Sequence, residues 1–260
     1  EIQEELGVTI DRAWPWLCCE YSYPHANVRL KFFRATSWHG TIKPIEHSGF
    51  VWVRIGDQAP VEPVLPANGP ILKALRLPRV CGITHAGEIG IDTQLARLEA
   101  ALAGGLRLVQ IREPALPDAD CERFARAVVE RCHAAGALAV VNGDAALARR
   151  IGADGLHLPA RSLMAADGRP DFEWVGASCH SRAELEQAAA LELDYALLGA
   201  VRPTQSHPER ATLGWSAFGD LVARLPLPVF ALGGLSAGDL ETAKAAGAHG
   251  VAGIRGIWQA

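Results

Sequence analysis

Glu1, Glu4 and Glu5 sit inside the octet Glu1-Ile2-Gln3-Glu4-Glu5-Leu6-Gly7-Val8 at the start of the chain. On a helix, positions three and four apart share a face, so the three carboxylates would stand together while Ile2 and Leu6 line another side. Clustered anions need a compensating cation, and hard oxygen ligands suit Mg²⁺ or Mn²⁺. A solvated acidic face on a surface helix has the same spacing. Gly7 reads as the helix stop. Far downstream, Gly233-Gly234 and Gly253-Ile254 offer backbone amides of the kind that bind phosphate, or simply tight turns. His180 is of the residue type that suits acid/base work near neutral pH, and a hydrogen-bonded structural histidine is the alternative.

The elements that must carry these residues follow two grammars. Before residue 78, Val28, Leu30 and Phe32 alternate with Arg29, Lys31 and Phe33, and Val51, Val53 and Ile55 alternate with Trp52 and Arg54, the period of half-buried strands. A short helix follows, with Asn68 as its cap, Pro70 in its first turn and Ile71, Leu72 and Leu75 as its apolar side. From Val80 onward, short apolar runs alternate with Ala/Leu-rich amphipathic stretches. Strands are expected at 79–85, 106–113, 137–142, 154–158, 173–179, 195–200, 228–232 and 249–253. Helices are expected near 92–103, 118–135, 144–151, 182–190, 215–224 and 237–246. This α/β alternation predicts a parallel (β/α)8 TIM barrel over 78–260, with a doubly wound open sheet as competitor. The phrases Gly152-Ala153-Asp154-Gly155 and Gly247-Ala248-His249-Gly250 punctuate two helix-to-strand returns alike and favour the barrel.

Composition narrows the partners. A 49% hydrophobic content over 260 residues is ample for real cores, and a formal charge of -4 leaves no basic footprint for a nucleic-acid polymer. The six cysteines show no C-x-x-C spacing, so neither a zinc site nor a disulfide framework is indicated. Reduced thiols, no apolar run of membrane-spanning length and no visible secretory signal fit a cytoplasmic protein with small-molecule ligands, in which an oligomer is allowed.

The opening octet resembles the second half of the Nudix hydrolase signature, G-x5-E-x7-R-E-U-x-E-E-x-G-U with U apolar. The first half of that signature would precede residue 1, so the chain is expected to be a fragment cut inside the motif. Tyr23-Pro24, Trp38-x-Gly40, Glu46 ahead of Trp52, and Pro66-Ala67-Asn68-x-Pro70-Ile71 are similar to the 8-oxo-dGTP diphosphatase type. This resemblance implies a truncated Nudix α/β domain over 1–77. It makes Glu1 a catalytic or metal-binding group, Glu4 and Glu5 metal ligands for Mg²⁺ or Mn²⁺, Glu46 a further catalytic carboxylate and Asn68 a purine-binding amide. The chain as it stands is expected to be inactive as a nucleotide hydrolase.

Residues 80–257 resemble the superfamily of thiamine phosphate synthase and thiazole tautomerase. The matching phrases include Gln110-Ile111-Arg112-Glu113, Val141-Asn142-Gly143, Gly155-Leu156-His157-Leu158, Gly176-Ala177-Ser178-Cys179-His180-Ser181, Gly199-Ala200-Val201-x-Pro203-Thr204, Leu232-Gly233-Gly234-Leu235 and Gly250-Val251-Ala252-Gly253-Ile254. All fall at expected strand ends, where barrel enzymes build their sites. The resemblance implies that Arg112, Asn142, Ser178, Thr204, Gly233, Gly234, Gly253 and Ile254 bind phosphate or substrate.

The synthase pattern also holds a Mg²⁺-pyrophosphate with two lysines and two aspartates, at places where this chain has Pro114, Gly143, Ser162 and His207. Arg112-Glu113, Asn142-Gly143, Leu158-Pro159 and Cys179-His180-Ser181 are nearer the tautomerase phrases. The expectation is therefore a Nudix-type hydrolase remnant fused to a barrel more tautomerase-like than synthase-like, with His180 catalytic, a phosphorylated thiazole as ligand and no cofactor required in the barrel. The rival is a non-catalytic barrel that binds such a ligand and regulates its partner domain.

Overall fold

The computed structural model describes residues 2–57, 62–204 and 211–258, in two compact units, Glu1–Leu77 and Pro78–Ala260. In the first unit, helix α1 (Ile2–Leu6) is ended by Gly7, at φ +69°, whose amide bonds the Gln3 carbonyl. A long antiparallel ribbon follows, β1 (Thr9–Tyr23) and β2 (Ala26–His39), closed where Tyr23 pairs with Ala26. Val28, Leu30 and Phe32 are half-buried while Arg29, Lys31 and Phe33 face water, as period-two alternation requires. Leu17 buries against Ile71 and Ala74 of α2 (Gly69–Leu75), joined by Trp16, Cys19 and Phe32.

Two expectations for this unit require correction. Residues 51–55 alternate in sequence but form no strand among the described residues: Val51, Trp52, Val53 and Ile55 are 41–69% exposed. Alternation makes a strand only where a partner edge accepts its backbone. The described elements thus amount to a two-stranded ribbon with short helices, and they give no support to a truncated Nudix α/β domain over 1–77. Asn68 closes a 3-10 turn, Pro66–Asn68, and makes no side-chain cap bond to α2.

The second unit is a closed eight-stranded parallel barrel. Its elements run β3 (Val80–Ile83), α3 (Ala86–Ile89), α4 (Ile91–Ala103), β4 (Leu108–Ile111), α5 (Asp118–Ala134), β5 (Leu138–Asn142), α6 (Ala145–Ile151), β6 (Gly155–Leu158), α7 (Ala160–Met164), β7 (Trp174–Cys179), α8 (Arg182–Ala190), β8 (Tyr195–Gly199), α9 (Gly214–Val222), β9 (Val229–Leu232), α10 (Leu240–Ala245) and β10 (Gly250–Gly253). β10 pairs with both β9 and β3, and this closure rules out the open sheet. The short helices α3 and α7 escape sequence reading, since neither is long enough to display a period.

Strand parity decides what faces where. Val109, Ile111, Ala139, Val141, Leu156 and Leu158 join the core between strands and helices. Gln110, Asn142 and His157, one position off, therefore face the barrel interior. That interior is packed, with the rings of His157, Tyr195, Phe230 and His249 in series at 5.7, 5.7 and 4.9 Å. The two repeated phrases have one physical meaning. Gly152 and Gly247 take positive φ just past their helices, and Gly155 and Gly250 lie so close to the Trp174 and Arg79 backbones that no Cβ fits. A Cβ at Gly176 would likewise enter the Tyr195 ring. Gly176→Ala is expected to cost about 2 kcal/mol by overpacking, read as a lower urea midpoint at unchanged slope. An unchanged midpoint would show that the ring can yield.

Candidate active site

The C-terminal ends of the strands bring two groups of residues together. The first spans β8 to β10. The backbone after β8 is stitched to that after β9 by Val201 N to Leu232 O at 2.9 Å and Arg202 N to Gly233 O at 3.1 Å. Gly233 (φ +107°) and Gly234 (φ +64°) press against it: a Cβ on Gly233 would stand 2.7 Å from Ala200 Cβ, and one on Gly234 would stand 2.6 Å from Pro203 O. Thr204 adjoins this contact and is half-buried. Gly253 would meet Leu235 O at 3.0 Å. The amides of Gly234 and Ile254 bond no protein acceptor among the described residues.

Arg202 ties the same loops together through Asp239 at 2.8 Å. Burial pulls the Asp239 carboxyl up, but the Ser236 amide, Arg202 and the Ser236 hydroxyl outweigh it and hold the carboxyl below its ordinary value.

The second group lies on β3 to β7. Arg112 follows β4, its amide on Thr84 Oγ1 at 3.0 Å. Glu113 accepts the amides of Ala86 (2.7 Å) and Gly87 (2.8 Å), which holds the turn into α3. Asn142 is paired in register with His157, and His157 with Gly176. His157 is fully buried and hydrogen-bonds Ser178 Oγ at 2.9 Å and Tyr195 OH at 3.2 Å. Burial, with a smaller push from the Arg112 charge, lowers its pKa to about 3, so it is neutral near pH 7. Ser178 is half-buried above it.

His180 stands apart. Its ring nitrogen lies 3.5 Å from Glu184 Oε2, its side chain is half exposed, and its backbone amide takes part in the start of α8. The Ser181 capping box explains this placement, because Glu184 must reach back over the Ser181 amide and draws His180 outward.

Sequence reading passed over three atoms here. His85 Nδ1, Gln94 Nε2 and Gln110 Nε2 are buried without a hydrogen-bond partner among the described residues. Buried polar atoms of this kind are completed by water or ligand. A lone glutamine in an apolar run carries little signal, although Gln110 lies inside a matching phrase.

The residues singled out in the first unit form no comparable site. Glu1 lies outside the described residues, Glu46 is exposed in a bend, and Glu5 sits 3.8 Å from His47. No group of three metal-ligating side chains occurs among the described residues, and Glu1, a member of the expected Glu1, Glu4 and Glu5 set for Mg²⁺ or Mn²⁺, lies outside them.

The donor set for a pyrophosphate-bound Mg²⁺ in the barrel does not fit either. Gly143, at φ +81°, packs on Pro159. Asp144 beside it spends one carboxylate oxygen on the Leu147 amide at 2.8 Å, capping α6. Ser162 lies within α7, and His207 lies outside the described residues.

Relatives assign the family. A sequence profile described as thiamine monophosphate synthase matches residues 80–257. A thiamine-phosphate synthase of Chromobacterium violaceum is 39% identical over 194 residues, covering 70% of this chain and 91% of the relative. Another, of Thioalkalivibrio sulfidiphilus, is 35% identical, covering 70% and 89%. Among solved structures, a thiamine phosphate pyrophosphorylase of Pyrococcus furiosus superposes with a TM-score of 0.57 at 21% identity, covering 70% of this chain and 88% of that one, a likeness of fold.

These findings overturn the expected function. The named relatives are synthases, which corrects the tautomerase-like and the non-catalytic readings alike, and none brings a Nudix hydrolase or nucleotide sanitation. No helix among the described residues is long and apolar enough to cross a membrane.

Proposed function

We propose that this chain, which belongs to the thiamine monophosphate synthase family, forms thiamine monophosphate by joining a phosphorylated thiazole to a pyrimidine methylene group with release of pyrophosphate. The observation that carries this reading is the glycine-walled turn after β9, packed on the loop after β8, with amides at Gly234 and Ile254 that bond no acceptor among the described residues. Phosphate-binding turns after the last two strands are a recurrent feature of the barrel.

In this reading the ring nitrogen of the thiazole forms the new bond to the methylene carbon, and the bond from that carbon to the pyrophosphate oxygen breaks. Two anionic ligands must be held together while negative charge moves onto the departing oxygen. Arg112 supplies fixed positive charge, and the Gly233-Gly234 and Gly253-Ile254 amides supply aligned dipoles that need no reorganisation as charge develops. Asn142, Ser178 and Thr204 add neutral donors. Gln110, whose amide nitrogen is unpaired, faces the same interior and offers a donor to a heteroaromatic ring.

The family chemistry supplies Mg²⁺ to the pyrophosphate, but Pro114, Gly143 and Ser162 do not reproduce the residues that hold it, and no step here passes through it. The purified chain, given a phosphorylated thiazole and the pyrimidine pyrophosphate, is expected to release thiamine monophosphate and pyrophosphate in equal amounts, read by chromatography. Absence of both products with folded protein would overturn the reading.

A further inference from the structure

The barrel interior holds a three-residue chain whose proton positions can be deduced. Tyr195 and His157 are each 0% exposed, and their side chains meet at 3.2 Å; the other ring nitrogen of His157 meets Ser178 Oγ at 2.9 Å. Among the described residues, the Tyr195 hydroxyl has no other hydrogen-bond partner, and neither has the Ser178 hydroxyl. A neutral imidazole donates from one nitrogen and accepts at the other, so two arrangements exist.

If Nδ1 carried the proton, it would donate to the Tyr195 oxygen. The tyrosine O–H would then be buried with nothing to receive it, a costly state. If Nε2 carries the proton, Tyr195 donates to Nδ1, Nε2–H donates to Ser178 Oγ, and every buried donor is satisfied. Ser178 has then received a hydrogen bond from below, and its own proton is free for the half-buried mouth above.

We infer that Tyr195 and His157 are positioning residues that fix the direction of the Ser178 hydroxyl, so that its proton is never spent on His157 and is always free to be donated to a substrate oxygen. This favours a group rich in acceptors, a phosphate or pyrophosphate oxygen, at that point of the mouth. Without the lock, a serine hydroxyl points either way, and half of its encounters with an anion would be lone pair against lone pair. The substrate part of this inference rests on the synthase reading; the proton arrangement does not.

Long-range proton–nitrogen NMR of the ¹⁵N-labelled full chain tests it, with the His157 ring signals identified by their absence in His157→Gln. Wild type is expected to show Nε2 protonated and Nδ1 bare at pH 7. Tyr195→Phe is expected to admit the Nδ1–H form and to lower kcat about tenfold with the fold retained by circular dichroism. His157→Gln keeps one donor and one acceptor, and is expected to stay within about threefold of wild type, as loss of one neutral hydrogen bond's orientation would allow. A ring protonated at Nδ1, or at both nitrogens, in wild type overturns the lock whatever the turnover. So does a Tyr195→Phe protein that matches wild type in both tautomer and kcat. If Tyr195→Phe fails to fold, the wild-type tautomer decides alone. An Nε2–H ring in a protein with no synthase activity upholds the lock and refutes the proposed reaction.

Discussion

Replacing Gly234 by alanine is expected to weaken binding of the phosphorylated thiazole roughly thirtyfold to a hundredfold while the barrel stays folded. Gly234 has φ +64°, where an L side chain is strained, and its new Cβ would stand 2.6 Å from Pro203 O and 2.9 Å from Arg202 Cβ. Both neighbours are held, Arg202 by its amide bond to Gly233 O and by its ion pair with Asp239. The turn itself must therefore move, and the amide that meets phosphate in the proposed reaction moves with it. A charge-assisted hydrogen bond is worth about 1.5–3 kcal/mol, which sets the size of the loss. Gly168→Ala is the matched control, because nothing lies within 4 Å of a Cβ there and its φ is not positive. Calorimetric titration separates the two variants. Equal affinities would move the phosphate site away from this turn.

Acid stability carries the second large effect. A free histidine titrates near 6.5, and His157 is pushed down to about 3 in the folded barrel, by burial first and the Arg112 charge second. Below pH 6.5 the unfolded chain takes up a proton that the folded chain refuses until about pH 3, so the unfolded state binds more protons across that window. Stability from this source is complete above pH 6.5 and is lost as pH falls toward 3, by about 1.4 kcal/mol per pH unit. His157→Gln removes the titration. Between pH 6.5 and 4.5 the variant is expected to lose about 2 kcal/mol less than wild type, read from urea denaturation at each pH. The groups facing His157 do not blur the comparison: Tyr195 and Ser178 stay neutral across this range, and Arg112 keeps its charge. Parallel curves for the two proteins would mean that His157 is already charged, or already hydrated, in the folded state.

The two predictions probe different layers of one mouth. Gly234 tests the loops proposed to hold an anion, and His157 tests the burial of the layer beneath. Both layers are built from strand ends, the part of the chain where local pattern and tertiary contact overlap most.

All eight barrel strands fall within the stretches expected from hydrophobic pattern, because buried parallel strands need short apolar runs and their returning helices need amphipathic ones. The first unit misled the same reasoning. Val51 to Ile55 have the alternation of a strand but no described partner edge, and sequence carries no record of which edge is available. The acidic octet does form a short helix, Ile2–Leu6, ended at Gly7 as its sequence indicates, while Glu1, the first carboxylate of the expected set, lies outside the described residues.

Within the barrel, the sequence pointed to His180 as the working histidine. Position alone could not weigh it against His157, since both lie near strand ends. In the fold, a capping box turns His180 out to Glu184, while strand parity turns His157 inward onto Ser178 and Tyr195. Tyr195 gave no sequence signal, for it lies 38 residues from His157 and meets it only because β6, β7 and β8 lie side by side.

The amino-acid sequence by itself determined the order of strands and helices, the closed-barrel architecture and the glycines at its turns, because each depends on contacts within a few residues or on the period of burial. Which side chains converge, and in which direction a proton points between them, was decided by the tertiary structure alone. Those properties come from strand pairing across long stretches of chain and from the demand that every buried donor find an acceptor.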